Sequence, residues 1–171
     1  LLAFLKKHKD VLLAYNPGSI QIQNPEMVKD VIAYTDILIL NLEEARIILG
    51  KTPTEGKNAS VLINELLNLG AKEVAITDSA QGAWAGNKEV IWHCKSFPVN
   101  VVSKTGAGDA FSSGYLAARF YKKNIDTALH WGIANSCHVI SAPGPNKTPL
   151  NKKGIAKAIA KFSSVKPVLS S

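Results

Sequence analysis

The run Thr105-Gly106-Ala107-Gly108-Asp109-Ala110-Phe111 holds the residues of this 171-residue chain best suited to chemistry. Three small residues pass directly into a carboxylate, and a long apolar-periodic segment follows. Such a run can bring several backbone N–H groups to one point at a helix N-terminus. The helix dipole favours an anion there, phosphate above all. A carboxylate beside that anion cannot help to hold it, so its natural task is to receive a proton. An anion cradle with a base at its edge points to phosphoryl transfer onto a hydroxyl. The alternative is a plain strand-to-helix turn with Asp109 as an ordinary first-turn acid, because short glycine-rich loops are weak signals alone.

A second polar cluster, Asn41-Leu42-Glu43-Glu44, follows the apolar run Ile37–Leu40. Asn41 can cap a helix, and Glu44, one turn in, reaches back to the same opening. Two readings stay open. The pair could be a capping box that satisfies the first backbone donors. It could also be an amide and a carboxylate facing a metal–phosphate site, since Mg²⁺ takes hard oxygen ligands, often through water.

The elements that must position these residues alternate along the chain. Apolar runs at Val11–Tyr15, Ile37–Leu40 and Val74–Thr77 read as buried strands, and Val99–Val102, after Pro98, reads as a last strand entering the glycine loop. Lys88–Cys94, with Trp84 before it, alternates and suggests a hairpin. Helices are expected over Pro25–Tyr34, Glu43–Leu49 closed by Gly50, and Ala59–Leu69 stopped at Gly70. Further helices are expected over Gly106–Tyr121, Asp126–Ile140 and Lys152–Phe162, with Pro143-Gly144-Pro145 as a break. This order implies a three-layer α/β domain, a mainly parallel sheet with helices on both faces. In such sheets ligands bind beyond the carboxyl ends of the strands. The turns after Tyr15, Leu40, Thr77 and Val102 are therefore expected to converge on one crevice.

Composition narrows the classes. The net charge of +7 is spread, with Lys6-Lys7, Lys122-Lys123 and Lys152-Lys153 near expected helix ends. Aromatic residues are not interleaved with the lysines, so no nucleic-acid partner is expected. A generally positive field suits an anionic nucleotide equally well. No apolar run reaches membrane-span length, so no membrane partner is expected. Cys94 and Cys137 fit a reducing cytoplasm better than a disulfide framework. His93-Cys94 and Cys137-His138 suggest zinc at first sight, but neighbours on a strand or helix point in different directions. The sequons at Asn58 and Asn146 carry little weight without secretion, and Asn58 is better placed as a helix N-cap. The opening Leu1-Leu2-Ala3-Phe4-Leu5 does not fit a signal peptide. It reads as a helix cut from a longer chain, one domain-sized piece of it.

With these residues in place, the chain resembles the carboxy-terminal part of ribokinase-like (PfkB-type) sugar and nucleoside kinases, over nearly its whole length. Asn16-Pro17-Gly18 resembles the turn after a central sheet strand, and Asn41-Leu42-Glu43-Glu44 resembles the N-x-x-E motif. Ala75-Ile76-Thr77 with Gly82 resembles the T-x-G-x-x-G nucleotide loop. Thr105 to Phe111 resembles D-T-x-G-A-G-D-x-F, and Gly132-Ile133-Ala134-Asn135-Ser136 resembles the late helix bordering the adenine pocket.

The resemblance implies ATP-dependent phosphorylation of a hydroxymethyl-type alcohol, on a sugar or, as the runner-up, a nucleoside. A non-catalytic nucleotide-binding module on the same fold is the alternative from another class. By the resemblance Asp109 is the base, and the N–H groups of Gly106, Ala107 and Gly108 stabilise charge on the transferring phosphoryl group. Thr77, Gly82 and Thr105 would line the nucleotide, with Asn135 near its base or ribose. Asn41 and Glu44 would organise Mg²⁺.

Three departures accompany the match. Ser103 stands where the family has an aspartate that helps hold a monovalent cation, and Lys104 replaces a small hydroxyl residue. Weak or absent K⁺ activation is expected, with Lys104 either supplying a fixed charge or pointing to solvent. Ser79 replaces the first glycine of the nucleotide loop, which implies a loop of different shape. The family's amino-terminal half, with its sugar-recognition glycines and lid, is absent. The resemblance allows a homodimer of the full-length protein through that lid. This chain alone is expected to bind ATP weakly and to phosphorylate poorly.

Overall fold

A computed structural model describes residues 2–8, 10–141 and 148–170. The proline-glycine break at 143–145 and the sequon at Asn146 lie outside the described residues. The chain forms two compact units, Leu1–Ile76 with Ala85–Ile91, and Thr77–Trp84 with Trp92–Ser171. Among the described residues, six strands are hydrogen-bonded in the order β1-β2-β3-β4-β5-β6.

In the first unit, α1 (Leu2–Lys7), β1 (Ala14–Tyr15), α2 (Ser19–Ile22) and α3 (Pro25–Ile32) lead into β2 (Ile37–Asn41). Pro25 sits in the first turn of α3 behind the N-cap Asn24, where a missing N–H costs nothing. β2 pairs in parallel with β1, Ala14 opposite Ile37 and Tyr15 opposite Leu38. Leu38, Ile39 and Leu40 are buried, which is why this strand is continuously apolar. The strand expected from Val11 begins only at Ala14, and Leu12 is 83% exposed. Ahead of it the backbone is held by Asp36, whose Oδ2 accepts from Leu13 N at 2.8 Å while Oδ1 accepts from Lys72 Nζ at 2.7 Å.

Helices α4 (Leu42–Leu49) and α5 (Ala59–Asn68) follow. Gly50 closes α4 in the left-handed conformation, and Asn58 caps α5 by accepting from Ser60 N at 2.9 Å, both as the sequence implies. Strand β3 (Glu73–Asp78) buries Val74, Ala75 and Ile76. The expected hairpin forms from β4 (Gly82–Gly86) and β5 (Ile91–Cys94). In its turn Asn87 Oδ1 accepts from Glu89 N and Val90 N.

In the second unit, a short 3₁₀ turn (Ser79–Gln81) leads into β4. Helices α6 (Ala107–Phe120) and α7 (Ile125–Ile140) pack against one another through glycine. A Cβ on Gly114 would lie 2.8 Å from the Trp131 carbonyl oxygen, and one on Gly132 would lie 2.7 Å from the Phe111 ring. This close approach buries Phe111 and Tyr115, each contributing on the order of 1.5–3 kcal/mol. Helix α8 (Lys152–Lys161) is capped by Asn151, which accepts from Gly154 N at 2.9 Å.

One expected strand does not form. Residues 99–102 have no strand structure, and Val101 and Val102 are exposed. The N–H groups of Val102 and Ser103 instead donate to the Ile140 carbonyl at 2.8 and 3.2 Å, tying this stretch to the end of α7. On its other side from β4, β5 pairs with β6 (Val168–Leu169), antiparallel, with Trp92 opposite Leu169 and His93 opposite Val168. The turn after Val102 is therefore not a strand end, whereas those after Tyr15, Asn41 and Asp78 are.

Candidate functional site

The glycine run folds as a helix start. Gly106 is the N-cap residue of α6 with φ of 78°, a left-handed conformation that favours glycine. Ser103 Oγ accepts from Thr105 N at 3.3 Å, and the Lys104 carbonyl accepts from Ala107 N at 3.3 Å. Both bonds wind the chain into the cap. Lys104 itself is exposed. The helix supplies no partner for the N–H groups of Gly108 and Asp109 in its first turn. Asp109 is the acid of that turn, and it is exposed.

Gly108 is informative for a different reason. A Cβ there would meet nothing within 4 Å, so packing does not require glycine. A bare backbone at this exposed point leaves room for something that approaches it closely. Gly82 is the opposite case. A Cβ on Gly82 would lie 2.0 Å from the Cys94 carbonyl oxygen, and the residue has φ of 94°. Strand packing alone accounts for it.

Asn135 is placed inside the second unit, 1% exposed. Its Nδ2 donates to the Ala110 carbonyl at 2.7 Å and to Ser113 Oγ at 3.0 Å, and its Oδ1 accepts from Leu150 N at 2.7 Å. The side chain thus ties α7 to the first turn of α6, one residue past Asp109. It joins the group expected around the glycine loop as a brace of that loop. Thr77 lies two residues before the Ser79–Gln81 turn near the end of β3, half-buried.

Sequence reasoning missed a cavity in this unit. It has a volume of about 500 Å³ and is bordered by Phe97, Val99, Asn100, Ala134, His138 and Lys161 among others. Its size suits a small-molecule ligand. The chain from Phe97 to Asn100 borders the cavity and runs on into the glycine loop. A Cβ on Gly106 would lie 3.8 Å from Val139 Cγ1 on the same α7. The valine-rich stretch Val99–Val102 after Phe97 was the available signal, and its reading as a strand hid the cavity.

Both cysteines are buried and free. Burial pushes the Cys94 thiol up to about 12, with Cys137 adding to the shift, and burial also raises Cys137. Neither is a nucleophile at neutral pH. Among the described residues no three His, Cys, Asp or Glu side chains converge, and no helix is long and apolar enough to cross a membrane.

In the first unit, Asn41 and Glu44 come together in a reciprocal cap. Asn41 Oδ1 accepts from Glu44 N at 2.8 Å, and Glu44 Oε2 accepts from Asn41 N at 2.8 Å. The capping-box geometry is thus realised in full. A carboxylate keeps further acceptor capacity beyond one such bond, so the residues also fit a hard cation held through water. Asn16, in the turn after β1, donates from Nδ2 to the Ile39 carbonyl at 2.7 Å.

Residues 2–153 match the pfkB family of carbohydrate kinases. The chain belongs to this family. It is 28% identical over 144 residues to a ribokinase of Haemophilus influenzae, covering 84% of this chain and 46% of that protein. It is 31% identical over 144 residues to an ATP-dependent 6-phosphofructokinase of Thermoanaerobacterium thermosaccharolyticum, covering 81% of this chain and 43% of the other. A carbohydrate kinase structure from Agrobacterium tumefaciens superposes with a TM-score of 0.79 at 24% identity, over 99% of this chain and 52% of that one. A structure from Escherichia coli, solved in complex with ATP and Mg²⁺, superposes with a TM-score of 0.77 at 24% identity, over 94% and 52%. The fold is the ribokinase-like α/β fold. The chain spans about half the length of the curated relatives it matches.

Proposed function

We propose that the full-length protein transfers the γ-phosphoryl group of ATP to a sugar hydroxyl, with this chain supplying the nucleotide site and the catalytic base. The observation that carries the reading is the start of α6 in a PfkB-family chain. There an exposed first-turn carboxylate, Asp109, stands beside a Gly108 that packing does not require.

Asp109 accepts the proton of the attacking hydroxyl as the O–P bond forms. A carboxylate is a weak base, but it suffices because the transition state is loose and needs mainly positioning and charge stabilisation. The N–H groups of Gly106 and Gly108 face the charge that builds on the phosphoryl oxygens. That of Ala107 joins them by giving up its 3.3 Å bond to Lys104, which is long for an N–H···O contact. Thr77 and Thr105 line the phosphates, and Gly82 shapes the loop between β3 and β4. The cavity between Phe97 and His138 takes the nucleotide base, with Asn135 holding its α7 wall against α6.

Mg²⁺ neutralises phosphate charge when bound, and Asn41 and Glu44 are the residues proposed to hold it through water. Ser103 and Lys104 lack the carboxylate expected of a monovalent-cation site, so K⁺ dependence is proposed to be weak. The known binding of ATP and Mg²⁺ by a protein of this fold supports both cofactors. The acceptor is proposed to be a sugar because the relatives named above are sugar kinases. A nucleoside acceptor is the neighbouring alternative.

The test is a phosphorylation screen of the full-length protein beside Asp109→Asn. Loss of turnover in the variant with ATP binding retained supports the kinase. Equal inactivity of both proteins on every acceptor, with normal ATP binding, would show a binding module instead.

A further inference from the structure

Ser79 has φ of 43°, a left-handed conformation that a residue with a Cβ enters at a cost. It opens the 3₁₀ turn between β3 and β4, the loop to which the proposed function assigns the nucleotide. Something must hold it there, and the stretch from His93 to Ser96 does so at several points. Ser96 Oγ donates to the Ser79 carbonyl at 3.0 Å, and that same oxygen accepts from Gly82 N. His93 Nε2 bonds the Gln81 carbonyl at 2.8 Å. A carbonyl only accepts, so Nε2 carries the hydrogen. The His93 ring is stacked on Trp84, with centroids 4.0 Å apart and planes 16° off parallel. Gly82 lies directly on the backbone of Cys94 and Lys95.

We propose that Ser96 and His93 are positioning residues for nucleotide binding, clamping the Ser79–Gln81 loop in a shape that glycine would adopt unaided. The two carbonyls at the ends of the turn are each drawn to a side chain of one neighbouring segment, and this fixes the path from Thr77 to Gly82. A loop with glycine at position 79 reaches φ near +43° without strain, so the clamp is needed because serine stands there. The inference rests on the nucleotide reading of this loop.

The test is a double-mutant cycle in the full-length protein, with Mg·ATP affinity read by calorimetry, kcat and KM measured alongside, and melting temperature as a control. One hydrogen bond at stake predicts that Ser96→Ala weakens Mg·ATP binding by about threefold to tenfold, with kcat unchanged. Ser96→Thr, which keeps the hydroxyl, stays within about twofold. His93→Phe keeps the ring stack but lacks the donor, and it weakens binding by a similar factor. In a Ser79→Gly background the effect of Ser96→Ala shrinks to less than about twofold, because non-additivity marks residues acting through one another. A merely structural serine would lower the melting temperature in both backgrounds and leave affinity untouched. That result, or an equal affinity loss in both backgrounds, overturns the clamp. Thr77→Val separates the two levels. If it weakens ATP binding and Ser96→Ala does not, the clamp fails alone. If wild type binds no Mg·ATP, the nucleotide reading and the clamp fail together.

Discussion

Two helix starts in this molecule meet the same physical problem in opposite ways. At α4 the first donors are satisfied from within, by the reciprocal bonds of Asn41 and Glu44 at 2.8 Å. At α6 the N-cap is a glycine with no side chain to offer, followed by a second glycine with open space where a Cβ would be. Every helix leaves orphan N–H groups at its start, and local capping is the usual answer. A helix that forgoes it, and presents an exposed carboxylate in the same turn, has donors available for a ligand. The difference supports the proposed roles, in which α6's start meets the phosphates while α4's start first caps its own helix.

The largest effect should come from Asp109→Asn, which removes the proton acceptor. We expect kcat to fall by about 10²–10⁴ with Mg·ATP affinity within about twofold, measured by coupled assay and calorimetry. An unchanged kcat would leave α6 as an ordinary uncapped helix.

Next come the two glycines. Gly82→Ala puts a Cβ 2.0 Å from a carbonyl oxygen at φ of 94° and should destabilise the fold by more than about 2 kcal/mol in chemical denaturation. Gly108→Ala should leave stability within about 0.5 kcal/mol, yet lower kcat/KM by about tenfold or more, since losing one oxyanion donor costs more still. If Gly108→Ala proved fully active, nothing would approach that backbone closely.

Glu44→Gln sharpens the contrast from the other side. The amide still accepts from Asn41 N–H, so stability should change by less than about 0.5 kcal/mol. The Mg²⁺ concentration for half-maximal rate should rise several-fold, and no rise would make α4's start purely structural.

A smaller effect involves His130, whose Nε2 is buried without a hydrogen-bond partner among the described residues. Burial lowers its pKa, with a bond to the Val165 backbone and Asp126 opposing the shift. The folded value lies below the unfolded one near 6.5, so the unfolded chain takes up the proton first. This contribution to stability is present above about pH 6.5 and is lost as pH falls towards the folded value. Urea midpoints between pH 8 and 5 should show the decline, and His130→Phe should flatten it.

The local part of this account was legible in the sequence. Asn41 with Glu44, Asn58 before α5 and Gly50 after α4 act over two or three residues, so spacing alone reveals them. What spacing cannot show is who sits beside whom across the chain. Val99–Val102 has the β-branched composition of a strand, but β5 pairs with Val168 and Leu169, some 75 positions further on (His93 to Val168, 168 − 93). The resemblance puts Asn135 near a nucleotide, but only the structure shows its bonds to residues 25, 22 and 15 positions away. The cavity beside Phe97 and His138 arises from such long-range packing, and the one local signal, the valine-rich stretch that borders it, reads equally well as a strand.

The central claim is that the backbone at the start of α6 receives the phosphates, while a helix start capped from within, such as that of α5, does not. Backbone amide NMR of the full-length protein, titrated with Mg·ATP, tests it most directly. The N–H resonances of Gly106, Ala107 and Gly108 should shift strongly on saturation, while that of Asn58, in the capped turn of α5, stays in place. Nucleotide binding that leaves the Gly106–Gly108 amides unmoved would contradict the account.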